Sequence, residues 1–153
     1  MLSAYRQLAA EREAQNIPAL PLNAEQVQSL TKLLETPPEK ESSILLDLLT
    51  NRIPPGVDQA AYVKATWLSS ISNGRNHSPL INPLEATRLL GTMIGGYNVA
   101  ALFEILQSEN VALANCAAKG LSHTLLVYDA VHDVIELSAT NQFAKQVVES
   151  WVN

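Results

Sequence analysis

Aromatic residues and cysteine are scarce in this sequence of 153 residues. Aromatic side chains make up only 5% of the chain, although hydrophobic residues as a whole make up 47%. A core of Leu, Ile, Val and Ala is typical of packed helices. The single cysteine, Cys116, excludes an internal disulfide and is consistent with a reducing compartment. The length predicts one domain, residues 1–153, and such a domain buries roughly 70% of the surface that its unfolded chain exposes.

Long apolar runs and clustered positive charge are also absent. No apolar run reaches the roughly eighteen residues that a membrane-spanning helix needs. The charged residues 6 and 11–13 interrupt the amino-terminal segment, so it lacks the apolar stretch of a signal peptide. We therefore expect a cytoplasmic protein with no membrane partner. The net charge of −5 makes nucleic acid an unlikely partner, because binding through phosphates needs clustered Lys and Arg.

The most informative stretch is NRIPPGVDQAAYVKATWL, residues 51–68. Pro54 and Pro55 prevent the preceding apolar helix from continuing, and Gly56 supplies a turn residue. Asp58 can accept hydrogen bonds from the free amides that begin a new helix. A helix is therefore predicted over residues 59–72, ending at Asn73 and Gly74.

Apolar residues three and four apart predict helices along the rest of the chain. The predicted helices cover residues 1–15, 23–36, 36–52, 82–94, 98–106, 111–128, 129–139 and 140–151, joined by short loops, with an exposed polar loop over residues 75–81. The predicted caps are Asn23 with Gln26, Thr36 with Glu39, Asn82 with Glu85, Asn98, and Thr140 or Asn141. Leu84, Leu90 and Met93 are expected to face inward, as are Leu125 and Tyr128, and Gly120 is expected to permit close approach of another helix.

These signals predict an all-α fold of eight or nine helices arranged as antiparallel pairs. Apolar segments recur around Leu45, Leu89 and Leu125, at intervals compatible with HEAT-type helix pairs. No residue-level consensus repeats, so the pattern alone leaves open both a solenoid-like stack and an irregular bundle.

The sequence contains no convincing constellation for chemistry, and we assign no catalytic, cofactor-binding or metal-binding residue. Cys116 lies among alanines and is interpreted as a small packing residue. The spacing of four residues is compatible with metal binding: His123, Asp129, His132 and Asp133. Such residues near helix ends more commonly cap the helix or face solvent. The polar residues of the informative stretches are interpreted as fixing loops, with contact to another domain as the alternative; they are Asn51, Arg52, Asp58, Tyr97 and Asn98.

Three stretches resemble the amino-terminal domain of bacterial aconitase B. They are NRIPPGVDQAAYVKA from residue 51, LLGTMIGGYN at 89–98 and LSHTLL at 121–126, and the resemblance continues in register over the whole chain. It implies a HEAT-like stack of antiparallel helix pairs, the α-α superhelix, that packs against catalytic domains absent from this chain. It also implies a role in shaping the tunnel to the active site and in protein association, including an iron-linked homodimer.

The resemblance implies an enzyme only for the full-length protein. That protein would interconvert citrate and isocitrate through cis-aconitate on a [4Fe-4S] cluster held by three cysteines, and would also hydrate 2-methyl-cis-aconitate. With one cysteine, this chain is expected to carry no cofactor and to be inactive alone. The alternative is an independent helical adaptor without an enzyme. The final helix has no Gly or Pro stop signal before Asn153, which favours a longer polypeptide.

Overall fold

The only regular secondary structure in the part of the chain that the structure describes is α-helix. The computed structural model describes residues 1–125 and 127–153, which form nine α-helices and no β-strand. The helices are α1 (Leu2–Ala14), α2 (Ala24–Glu35), α3 (Ser42–Asn51), α4 (Gln59–Ser72), α5 (Pro83–Leu90), α6 (Val99–Leu106), α7 (Val111–Ser122), α8 (Ala130–Leu137) and α9 (Gln142–Val152). The predicted all-α class is confirmed, while the HEAT-like arrangement stays a prediction. Within the described residues, no helix is long and apolar enough to cross a membrane.

Five of the helices pack against one another in chain order. Helix α2 packs on α4, α4 on α5, α5 on α7, and α7 on α9. Helix α3 packs on α2, α6 packs on α5 and α7, and α8 packs on α6 and α9. One continuous hydrophobic core links these helices, and most of its fully buried large side chains are leucines. The low aromatic content of the sequence is thus matched by an aliphatic core.

Three asparagines cap helices as their sequence context predicts. The Asn23 side chain accepts from the Gln26 amide at 2.9 Å, and the Gln26 side chain accepts in return from the Asn23 amide at 2.9 Å. Asn82 accepts from the Glu85 amide at 2.8 Å, and Asn141 caps α9. Each cap satisfies amides that would otherwise lack a partner at the helix start. Helix α4 has the predicted bounds, but the Asp58 side chain makes no capping hydrogen bond.

The predicted start of α3 and the predicted end of α7 are wrong. Helix α3 begins at Ser42 and not at Thr36, because Thr36 ends α2 and donates its hydroxyl to the Lys32 carbonyl. Helix α7 ends at Ser122 and not at Tyr128, and Tyr128 adopts a left-handed backbone with φ of 52°. Leu125, which the periodicity placed inside, is 93% exposed. Leu126 lies outside the described residues.

The segment between α4 and α5 is less exposed than predicted. Asn76 donates to the Glu35 carboxylate at 2.5 Å, and the same carboxylate oxygen accepts from the Trp67 indole at 2.9 Å. The Ser78 hydroxyl donates to the backbone of α2, and Ile81 is buried. Glu35 therefore joins α2, α4 and this loop. Leu84, predicted to face inward, is exposed at the start of α5.

Helices α5 and α7 approach each other at two glycines. Helix α5 ends at Leu90, earlier than the predicted break at Gly95 and Gly96, and Gly91 follows it. A Cβ built on Gly91 or on Gly120 would lie 3.0 Å from the Cα of the other residue. The expectation that Gly120 permits close approach is confirmed.

Candidate interaction surface

Two loops meet at the centre of the chain and form one junction. The first loop is residues 52–58, between α3 and α4, and the second is residues 91–98, between α5 and α6. The Ile94 amide donates to the Pro55 carbonyl at 2.9 Å. A Cβ built on Gly95 would lie 2.0 Å from the Gly56 carbonyl oxygen, so the two backbones touch. Only glycine fits at position 95 with the loops at this separation.

Asn98 holds the second loop from inside. Its side chain is fully buried, and its amide group donates to the Leu90 carbonyl at 2.7 Å and to the Met93 carbonyl at 3.2 Å. Among the described residues, the buried side-chain oxygen of Asn98 has no hydrogen-bond partner. Asn98 was predicted to cap α6, and that prediction is wrong, because its side chain points back to α5 and makes no cap hydrogen bond.

Large apolar side chains project from this junction into solvent. Val57 is 70% exposed, Ile94 60%, Tyr62 48% and Tyr97 39%. The two tyrosine rings meet edge to face with centroids 5.4 Å apart, and the Tyr97 hydroxyl donates to the Val57 carbonyl at 3.0 Å. We call these four residues the junction patch. Exposed apolar patches of this kind commonly mark contact surfaces.

The other polar residues of the informative stretches hold local backbone. Asn51 donates to the Asp47 carboxylate at 2.9 Å within α3. The Arg52 carbonyl accepts from the Leu22 amide at 2.8 Å, which ties the segment before α2 to the end of α3. Side-chain contacts that fix a loop are therefore present for Tyr97 and Asn98, whereas the Asn51 contact lies within α3 and the Arg52 contact uses its backbone. Asp58 stands at the start of α4 without a side-chain bond.

A groove of about 510 Å³ lies between α5 and α7 and contains Cys116. Its walls include Arg88, Lys119 and His123, and its floor includes the paired glycines. The Arg88 guanidinium is paired with the Glu85 carboxylate at 3.0 Å. Burial raises the pKa of the Cys116 thiol, so the protonated form dominates at neutral pH. Cys116 is half-buried and lines this groove, and its role as a packing residue stays a prediction.

The histidine and aspartate side chains around α8 do not form a ligand cluster. His123, Asp129, His132 and Asp133 are exposed. Among residues 1–125 and 127–153, no group of three or more His, Cys, Asp or Glu side chains is placed to hold a metal ion. That no residue of this chain is catalytic or binds a cofactor stays a prediction.

Sequence reasoning missed Lys64. This residue is only 3% exposed, and desolvation lowers its pKa to about 8. The available signal was spacing, because Ala61, Lys64, Leu68 and Ile71 recur three and four residues apart on the buried face of α4.

Comparison with known proteins identifies relatives over nearly the whole chain. The family model described as the Aconitate B N-terminal domain matches residues 4–153. Aconitate hydratase B of Synechocystis is 54% identical over 151 residues, which are 99% of this chain and 17% of that protein. Aconitate hydratase B of Pseudomonas aeruginosa is 54% identical over 154 residues, and that of Helicobacter pylori is 43% identical over 152 residues. These matches cover 100% and 99% of this chain and 18% of each relative.

Proposed function

This chain belongs to the family of aconitate B N-terminal domains, and on that premise we propose that it is the non-catalytic helical domain of an aconitase B polypeptide. The full polypeptide interconverts citrate and isocitrate through cis-aconitate and also hydrates 2-methyl-cis-aconitate. The observation that carries the proposal is the 54% identity to aconitate hydratases B of which the chain spans only 17–18%.

The iron–sulfur chemistry of such an enzyme does not fit the residues of this chain. A [4Fe-4S] cluster held by three cysteines needs three thiolates converging on one point. This chain has one cysteine, and burial raises the pKa of its thiol. The cluster therefore belongs to other parts of the polypeptide, and these 153 residues supply no step of the reaction.

The role left to the domain is to present a rigid surface to the catalytic domains. Helices that pack in chain order around one continuous core form a scaffold that keeps its shape when other domains contact it. The domain thereby helps to shape the passage to the active site. Its exposed surface also contributes to an iron-linked homodimer, and the whole protein is cytoplasmic.

The proposal is tested by comparing the full-length polypeptide with the isolated chain after both are reconstituted with iron and sulfide. Formation of cis-aconitate from citrate is followed by its ultraviolet absorbance. We expect turnover by the full-length polypeptide and none by the isolated chain, because the cluster needs thiolates that residues 1–153 do not contain.

Catalytic turnover by the isolated chain, or cluster absorbance that stays with it through gel filtration, would contradict the proposal. A reading frame that ends at Asn153 would instead establish the independent adaptor, since no catalytic domain would follow. Full-length protein that carries a cluster but does not turn over citrate or isocitrate would remove the assigned reaction.

A further inference from the structure

The junction patch combines high exposure with a fixed shape. Val57, Tyr62, Ile94 and Tyr97 are uncharged or apolar side chains that are 39–70% exposed, and all four come from one loop junction or the helix beside it. Keeping such side chains in water is unfavourable unless a partner covers them. The two tyrosines and the absence of charge in the patch are typical of an interface centre.

The backbone beneath the patch is held on both sides. The Ile94 amide donates a hydrogen bond to the Pro55 carbonyl, and the Tyr97 hydroxyl donates one to the Val57 carbonyl. The two loops also touch at Gly56 and Gly95. Edge-to-face contact between Tyr62 and Tyr97 orients both rings. Such a surface loses little conformational entropy on binding, because its backbone and its two tyrosine rings are already held in place.

We infer that the junction patch is the surface that contacts the remainder of the same polypeptide. The inference rests on the proposed function and adds to it the residues that make the contact. The relatives that match this chain at 54% identity extend over five times its length, since the match is 17–18% of each. A tethered neighbour of that size is present at high effective concentration. Its complementary surface is apolar and uncharged, as the patch is.

Hydroxyl-radical footprinting of the isolated chain and the full-length polypeptide tests this assignment at the level of single side chains. Tyr62 and Tyr97 are 48% and 39% exposed in the isolated chain. If contact reduces the exposed fraction of each side chain to about 10%, we expect their oxidation to be about fourfold slower in the full-length protein. Tyr128, which is exposed and distant in sequence from the junction, is the matched control and should react at the same rate in both.

Variants of the full-length polypeptide make the test specific to the patch. Val57→Ser and Ile94→Ser should restore oxidation of the two tyrosines, because they remove apolar area from the contact without touching the core. Ile135→Ser, a change of an exposed isoleucine on α8, is the control and should leave the protection intact. Equal loss of protection in the control variant would contradict the assignment.

The other outcomes each decide the question. Unchanged oxidation of Tyr62 and Tyr97 in the full-length polypeptide overturns the inference. Protection that arises in the isolated chain as its concentration is raised assigns the patch to a second copy and also overturns it. Turnover of citrate by a full-length protein with an unprotected patch leaves the proposed function standing and removes only this inference. Protection without turnover removes the proposed reaction and keeps the contact.

Discussion

Replacing Gly95 by alanine is expected to destabilise the chain by about 2–4 kcal/mol. The new Cβ would lie 2.0 Å from the Gly56 oxygen, and ordinary van der Waals contact begins near 3.4 Å. The loops must therefore separate by about 1.4 Å, the difference between these two distances. That displacement takes the Ile94 amide, now 2.9 Å from the Pro55 oxygen, beyond hydrogen-bonding distance.

The magnitude follows from these two effects together. Overpacking against a backbone atom costs about 1–3 kcal/mol, and loss of one backbone hydrogen bond costs about 0.5–1.5 kcal/mol. For a chain of 153 residues, the sum lowers the melting temperature by about 5–15 °C. Urea unfolding followed by far-ultraviolet circular dichroism gives the free energy directly.

Gly56→Ala is the matched control, because the same contact contains a second glycine with open space around it. A Cβ on Gly56 meets no atom within 4 Å, and its φ lies outside the left-handed region. We expect a change between zero and a stabilisation of about 1 kcal/mol, since alanine restricts the unfolded chain. Stability of Gly95→Ala equal to that of the parent, or equal destabilisation by both variants, would refute the reasoning.

Two further predictions concern the buried Lys64 and the partly buried Glu35, both away from the junction. The pKa of Lys64 is lowered from 10.5 to about 8 in the folded chain, so the unfolded chain binds more protons between these values and stability should rise from pH 8 to pH 10.5. Lys64→Met should remove that rise and stabilise the chain at neutral pH. Urea unfolding at a series of pH values tests this, and a free energy of unfolding that still rises between pH 8 and pH 10.5 in the variant would contradict it. Glu35→Ala should cost about 1–3 kcal/mol in the same assay, because the Trp67 indole and the Asn76 amide lose their acceptor. Glu39→Ala, an exposed glutamate of the following loop, is its control and should change stability by less than about 0.5 kcal/mol.

Local signals predicted the helices where the cap and its partner amide are neighbours in sequence. Asn23, Asn82 and Asn141 each cap within three residues of themselves, so the residue types alone were sufficient. Thr36 shows the limit of this logic. A hydroxyl beside two prolines can begin a helix or end one, and here it donates backwards to Lys32.

Other features depend on parts of the chain that are distant in sequence. The apolar period continues through Leu125, but α7 ends after Ser122, where the Thr124 hydroxyl donates to the Gly120 carbonyl. Lys64 is buried because α2 and α5 pack against α4. The spacing of apolar residues in α4 includes position 64 on the buried face, whereas charged side chains usually lie at the surface. Neither outcome could be decided without the positions of the neighbouring helices.

The junction brings together two of the three stretches that carry the resemblance to the aconitase B family. Residues 51–68 and 89–98 contact each other, and each restricts the other through shape: Gly95 has no room for a side chain, and the Pro55 carbonyl is the acceptor for Ile94. Asn98 is buried to hold the second loop, at the expense of one unpaired oxygen. None of these residues forms a metal or acid–base constellation. The sterically most restricted positions of the two loops therefore lie beneath an exposed apolar surface, as the proposed contact with the rest of the polypeptide requires.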